Sequence, residues 1–165
     1  MIIRVKNKLV TWKGESYVED ENGNRLYEVK GKFKFFSPSR KKKIYNKEGK
    51  KIYTVRNKIW RAPFTFESAL IYDANGDKLG RLQMKLSRAN RYVLKGEHYD
   101  SIRIGVDKEH KGIAIFKNEV AIASFYDDSL VRDNYRVYVI SEEDLDLIVS
   151  LVIAVDNIKD NIRED

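Results

Sequence analysis

Cysteine is absent from this 165-residue chain, which excludes disulfides, thiolate nucleophiles and cysteine zinc sites. That lack suits a reducing compartment. Histidine occurs only at His98 and His110, and proline only at Pro38 and Pro63. Long apolar runs are missing as well. The longest, Leu145 to Val155, has 11 residues and still contains Asp146 and Ser150, whereas a membrane-spanning helix needs about 20. The opening MIIRVKNKLVTW is broken by Arg4, Lys6 and Lys8 and offers no signal-peptide block. No glycine-rich phosphate loop, nucleophile elbow or metal-ligand spacing is present. These absences point to a soluble, cytoplasmic chain without a cofactor, and its length to a single domain over residues 1–165.

Charge is abundant but uneven. The chain carries +7 overall; residues 1–61 hold 18 Lys/Arg against 6 Asp/Glu, and residues 62–165 hold 14 against 19. A basic half attracts nucleic acid or anionic headgroups. It also serves simply as a solvated sheet face, since Lys keeps strands soluble.

Three stretches repeat a pattern of Asx, Gly and two aliphatic residues at three-residue steps: Asp20-Gly23-Leu26-Val29, Asn46-Gly49-Ile52-Val55 and Asp73-Gly76-Leu79-Leu82. The alternating Asp73, Asn75 and Asp77 suggest a calcium loop. An EF-hand requires Gly at position 6 and Glu at position 12, but counting from Asp73 those places hold Lys78 and Met84. A turn explains all three copies: the Asx side chain bonds the turn backbone, and Gly accepts positive φ.

The unit is therefore strand, turn, strand. Twelve strands follow from alternation and β-branched or aromatic content, at 2–10, 15–19, 25–36, 42–46, 50–60, 67–73, 78–86, 90–94, 100–106, 111–117, 119–126 and 134–140. Both prolines are expected between strands. One segment departs. In SEEDLDLIVSLVIAVDNIKDNIRED, Ser141 and Asp144 resemble a capping box, and Glu142, Glu143 and Asp144 favour the positive end of the helix dipole. Leu147 to Val155 is apolar in every direction except Ser150. Such a helix must be buried on all sides; with no other helices to surround it, the sheet must wrap around it. The expected fold is mainly β, a closed antiparallel barrel of about 12 strands around a central hydrophobic C-terminal helix.

The stretches SYVEDENGNRLYEVKGKFKFFS, KIYNKEGKKIYTVRNKI, LIYDANGDKLGRL, AIAS, DNYRVYVI and the closing LDLIVSLVIAVDNI follow one another in an order that resembles the LURP-one-related, YxjI-like proteins of the tubby C-terminal superfamily. That superfamily also includes the phospholipid scramblases. The resemblance implies a 12-stranded barrel around a hydrophobic helix. It hands over no active site, and no tubby lipid-contact motif can be placed residue by residue here.

The leading functional reading is a non-enzymatic module for anionic phospholipid headgroups, acting peripherally at a membrane surface. Its candidate residues lie in RKKKIYNKEGKK: Arg40, Lys41, Lys42, Lys43, Lys47, Lys50 and Lys51, extended by Lys32 and Lys34. Each basic residue near an anionic surface contributes about 1 kcal/mol. Trp12, Phe36 and Trp60 are candidate interfacial anchors. The alternative for the same residues is a solubilising hairpin. A protein-interaction scaffold remains open, with no partner named. Nucleic-acid binding fits the Lys, Tyr and Phe interleaving but not an acidic second half or a filled barrel without a groove. For an enzyme the candidates are His98, His110, Asp127, Asp128 and Asp133. The turn reading has a direct test: calcium or magnesium should leave the melting temperature unchanged in a thermal scan, and a metal-dependent rise would contradict it.

Overall fold

The computed structural model describes residues 1–7, 15–34, 37–57, 68–84, 92–107, 112–127 and 134–163. Twelve strands form one sheet: β1 (Ile2–Asn7), β2 (Ser16–Asp20), β3 (Arg25–Lys34), β4 (Ser37–Asn46), β5 (Lys51–Asn57), β6 (Ser68–Tyr72), β7 (Lys78–Met84), β8 (Tyr92–Lys95), β9 (Ile102–Asp107), β10 (Gly112–Lys117), β11 (Val120–Asp127) and β12 (Tyr135–Val139). They precede one α-helix, α1 (Leu145–Arg163). Strand order is β8-β7-β6-β5-β4-β3-β2-β1-β12-β11-β10-β9, and every ladder is antiparallel. Pairing of β1 with β12 brings the first and last strands together. The barrel is nearly closed: β8 and β9 border a seam that no ladder crosses among the described residues, spanned by the chain through a 3₁₀ turn, Glu97–Tyr99.

The three repeats are hairpin turns of one design. In each, the Gly N–H donates to the Asx carbonyl (3.1, 2.9 and 3.3 Å) and the Asx N–H donates to the carbonyl four residues on, at 3.0 Å. Oδ1 of Asp73 accepts the N–H groups of Asn75, Gly76 and Asp77 at 2.8–2.9 Å, while Asp20 Oδ1 accepts those of Asn22 and Asn24. Asn46 Oδ1 accepts that of Lys50. Glycines 23, 49 and 76 take φ of 82°, 74° and 100°, a region other residues rarely enter. The Asp73 carboxylate, which sequence alone could offer to a cation, is thus occupied by backbone donors. These hold it below the usual carboxylate range, the Asp77 N–H foremost. For Asp20 the leading cause is the Asn24 side chain.

Helix α1 lies inside the barrel. Residues 148–158, three full turns, are all 0–1% exposed. The strands present one face inward, including Ile3, Val5, Val18, Val29, Ile44, Val55, Ile71, Leu82, Ile104, Ile115, Phe125 and Val137. An α-helix with side chains is about 10–12 Å wide, which suits the lumen left by 12 strands. Burying Ile148, Val149, Leu151, Val152, Ile153, Val155 and Ile158 contributes roughly 10–20 kcal/mol before conformational entropy. This equals or exceeds the net stability of an ordinary domain, about 5–15 kcal/mol.

Three sequence expectations need correction. Strand β4 begins at Ser37, five residues before the expected start, and contains Pro38. Pro38 is the second residue of β4 and lies opposite the irregularity in register between Lys32 and Lys34, and prolines in strands are found at such starts and bulges. The helix start is not a capping box. Ser141 Oγ donates to the Asp144 carboxylate (2.8 Å) rather than to backbone. Lys117 draws the same carboxylate at 2.6 Å and, as the largest cause, lowers its pKa. The first turn, Glu142–Asp144, is 3₁₀.

A charge placed in the filled lumen would have no partner. Leu151→Asp should cost several kcal/mol and abolish the cooperative thermal transition. A soluble variant melting with the wild type would contradict a helix enclosed by the sheet. Gly76→Val should cost about 1 kcal/mol or more by urea titration. Open space surrounds that position, so the penalty is one of backbone conformation.

Candidate functional site

Strand geometry divides the basic segment 40–51. Successive side chains of a strand point to opposite faces, so Lys41 is exposed, Lys43 half-buried on the outer face, and Lys42 between them points inward, only 6% exposed. Lys47 and Lys50 are exposed in the β4–β5 turn, and Lys51 opens β5. Lys47 lies 3.8 Å from Glu48, which weakens it as an anion ligand. Lys32 and Lys34 belong to β3 and Arg40 to β4; their side chains lie outside the description. The segment is therefore an outer-face pair, an inward lysine and a turn cluster.

The register assembles a larger feature on the outside. Directly paired positions run Lys32↔Lys41↔Arg56↔Leu70↔Arg81↔Lys95 across β3 to β8. A second row, on the other side of the inward row, runs Lys30↔Lys43↔Thr54↔Tyr72↔Lys78. Neither row contains a carboxylate. Adjacent strands are about 4.8 Å apart, so Lys41 to Lys95 spans about 19 Å. Like charges directly opposite each other destabilise a sheet, and here Lys41 faces Arg56 and Arg81 faces Lys95. Lys30 is compensated from outside the rows: Glu28 sits 3.1 Å away and raises its pKa, and the Tyr45 ring lies beneath it.

Both rows run into an open cleft at the seam. Its volume is about 390 Å³, and its lining is Lys78, Leu79, Gly80, Arg81, Lys95, Gly96, Glu97 and His98. The floor is bare backbone. A Cβ on Gly80 would overlap the Lys95 carbonyl and the Tyr99 ring; on Gly96, at φ 146°, it would overlap Leu79 and Gly80 backbone.

The family model for LURP-one-related proteins matches residues 1–156. The chain belongs to the LURP-one-related family. A solved X-ray structure of an Arabidopsis thaliana protein superposes with a TM-score of 0.63 at 16% identity, covering 96% of this chain and 91% of that one; at that identity the likeness is one of fold. No curated protein matches the sequence.

Other candidates in this LURP-one-related barrel fare differently. His98 is exposed in the 3₁₀ turn and lines the seam cleft with Glu97. Asp127 is held by Lys159 of the helix at 3.0 and 3.1 Å. His110, Asp128, Asp133, Trp12, Phe36 and Trp60 lie outside the described residues. No helix among the described residues is long and apolar enough to cross a membrane, and none of their His, Asp and Glu side chains converge as a metal site.

Sequence reasoning missed Arg56, Lys78, Arg81 and Lys95. A signal for two of them was present. The Asx-x-x-Gly turns fix hairpin register, which sets Lys41 opposite Arg56 and Leu70 opposite Arg81. It also missed the destination of Lys42, whose Nζ lies 2.6 Å from Asp156 Oδ2 on the helix, with Asp156 only 1% exposed. Nearby, Asn57 Nδ2 donates to the Asn157 carbonyl at 3.1 Å. At the opposite end of the helix, the Tyr27 hydroxyl donates to Asp146 at 2.5 Å; burial, then that carboxylate, raises the phenol pKa. Lys42→Ala should cost up to about 3–5 kcal/mol in urea unfolding, because it removes a cation from beside a buried carboxylate. Lys42→Met combined with Asp156→Leu should recover most of that loss. Full additivity of the two single losses would show that the pair does not act as a unit.

Proposed function

We propose that this domain is a non-enzymatic binding module that docks peripherally on anionic phospholipid headgroups through the outer face of β3–β8. The observation behind this reading is the register that sets cation opposite cation across β3–β8, Lys41↔Arg56 and Arg81↔Lys95, with no carboxylate among these paired positions. Lys41, Lys43, Arg56, Lys78, Arg81 and Lys95 are the described contributors. Lys32, Lys34 and Arg40 extend the same strands, and Lys47, Lys50 and Lys51 form an accessory cluster at the turn. Lys42 is left out, since its ammonium is spent on Asp156. At about 1 kcal/mol per basic residue, four or five cations give a reversible, salt-sensitive attachment. Single-stranded nucleic acid would call for exposed aromatic platforms beside the cations, whereas the rows offer Tyr72 alone, and that half-buried. Membership of a family of binding-type barrels agrees with a role without catalysis.

Flotation with anionic and neutral liposomes tests the proposal. The wild type should float with anionic vesicles at low salt and lose binding as the Debye length falls below about 10 Å. The triple variant K41E/R56E/R81E should keep its circular dichroism spectrum and melting profile but sink. K47E/K50E/K51E should bind with a smaller loss. A wild type that ignores anionic vesicles at low salt would remove the membrane reading.

A further inference from the structure

We infer that the seam cleft is a discrete site for a phosphate monoester, separate from the diffuse attraction of the outer face and able to stand without it. Lys78, Arg81 and Lys95 line the cleft together with one carboxylate residue, Glu97, leaving two positive charges in excess. A phosphate monoester carries close to two negative charges near neutral pH. The three cations come from two strands: Arg81 and Lys95 are directly opposed across the β7–β8 ladder, and Lys78 begins β7. Opposed cations repel unless an anion lies between them, and Arg81 supplies the fork that a phosphate accepts bidentately. At Gly80 and Gly96 the β7 and β8 backbones pass too close for a side chain, which fixes the two strands that carry the cations against each other. The volume of about 390 Å³ exceeds one phosphate and leaves room for the alcohol part of the ester, with Leu79 as its apolar wall. It lies within the range of about 300–1,000 Å³ usual for small-molecule sites. His98, exposed on the rim, is a further donor and a built-in reporter.

With two histidines in the chain, the imidazole signals can be followed by NMR, and H98Q assigns them. Inorganic phosphate or glycerol phosphate near neutral pH should shift the His98 signals saturably, while sodium chloride at equal ionic strength should not. R81Q and K95Q should each weaken the phosphate response about tenfold, and K78Q should do so to a lesser degree. Vesicles separate the two sources of such a group. If phosphatidic acid vesicles bind better than phosphatidylglycerol vesicles of equal charge, and soluble phosphate competes, the ester is a lipid headgroup. If soluble phosphate binds and vesicles show no such preference, it is a free phosphate ester. Equal responses to chloride and phosphate, or a phosphate response that survives R81Q/K95Q, would overturn the site. Absence of flotation with anionic vesicles would overturn the membrane reading alone, because the His98 response does not depend on it.

Discussion

Everything in this molecule depends on enclosing one helix that is apolar on every side. Apart from Ser150, residues 148–155 carry no polar side chain to show to water, and twelve inward strand faces have no core without them. Each satisfies the other's need for burial. The helix is rich in Val and Ile, residues with modest helix propensity, so its helicity is a consequence of packing more than of local preference. This mutual dependence couples the last segment of the chain to the first strand, since β1 and β12 must pair for the sheet to encircle the helix.

The apolar stretch of the rod has little to fix its depth or rotation, and the few polar contacts towards its two ends supply that. Tyr27 meets Asp146 near the helix start, Lys42 meets Asp156 in the lumen, Asn57 meets the Asn157 backbone, and Lys159 reaches Asp127 at the far end. Buried ion pairs contribute little net stability, because desolvation offsets attraction. Their value lies in making other registers of the helix leave a charge unpaired.

The same period-2 geometry that sends Lys42 inward sends Lys41 and Lys43 outward, and the ladders then line them up with residues far away in sequence. The basic character of the first 61 residues is thus joined by Lys78, Arg81 and Lys95 from the acidic remainder. The two rows run from β3, one to β8 and the other to β7, and end at the cleft.

Much of this was legible in the sequence. The Asx-x-x-Gly repeats, the alternation of strands such as KGKFKFF and the all-round apolar segment near the C-terminus each carry a local rule, and together they determined the strand count, the turns and the enclosed helix. The run Arg40 to Lys43 misled in two ways: the strand was expected only from residue 42, whereas β4 begins at Ser37, and all four cations were grouped as headgroup ligands, whereas Lys42 turns inward to Asp156. What only the tertiary structure decided is which outward residues stand side by side. Within a hairpin the turn sets the register, so Lys41 opposite Arg56 follows from Asn46 and Gly49. Between hairpins the connections impose no fixed count. Pairing of Arg56 with Leu70 and of Arg81 with Lys95 is therefore set by how each strand seats its inner face on the helix, a long-range packing constraint with no signature in any short stretch of sequence.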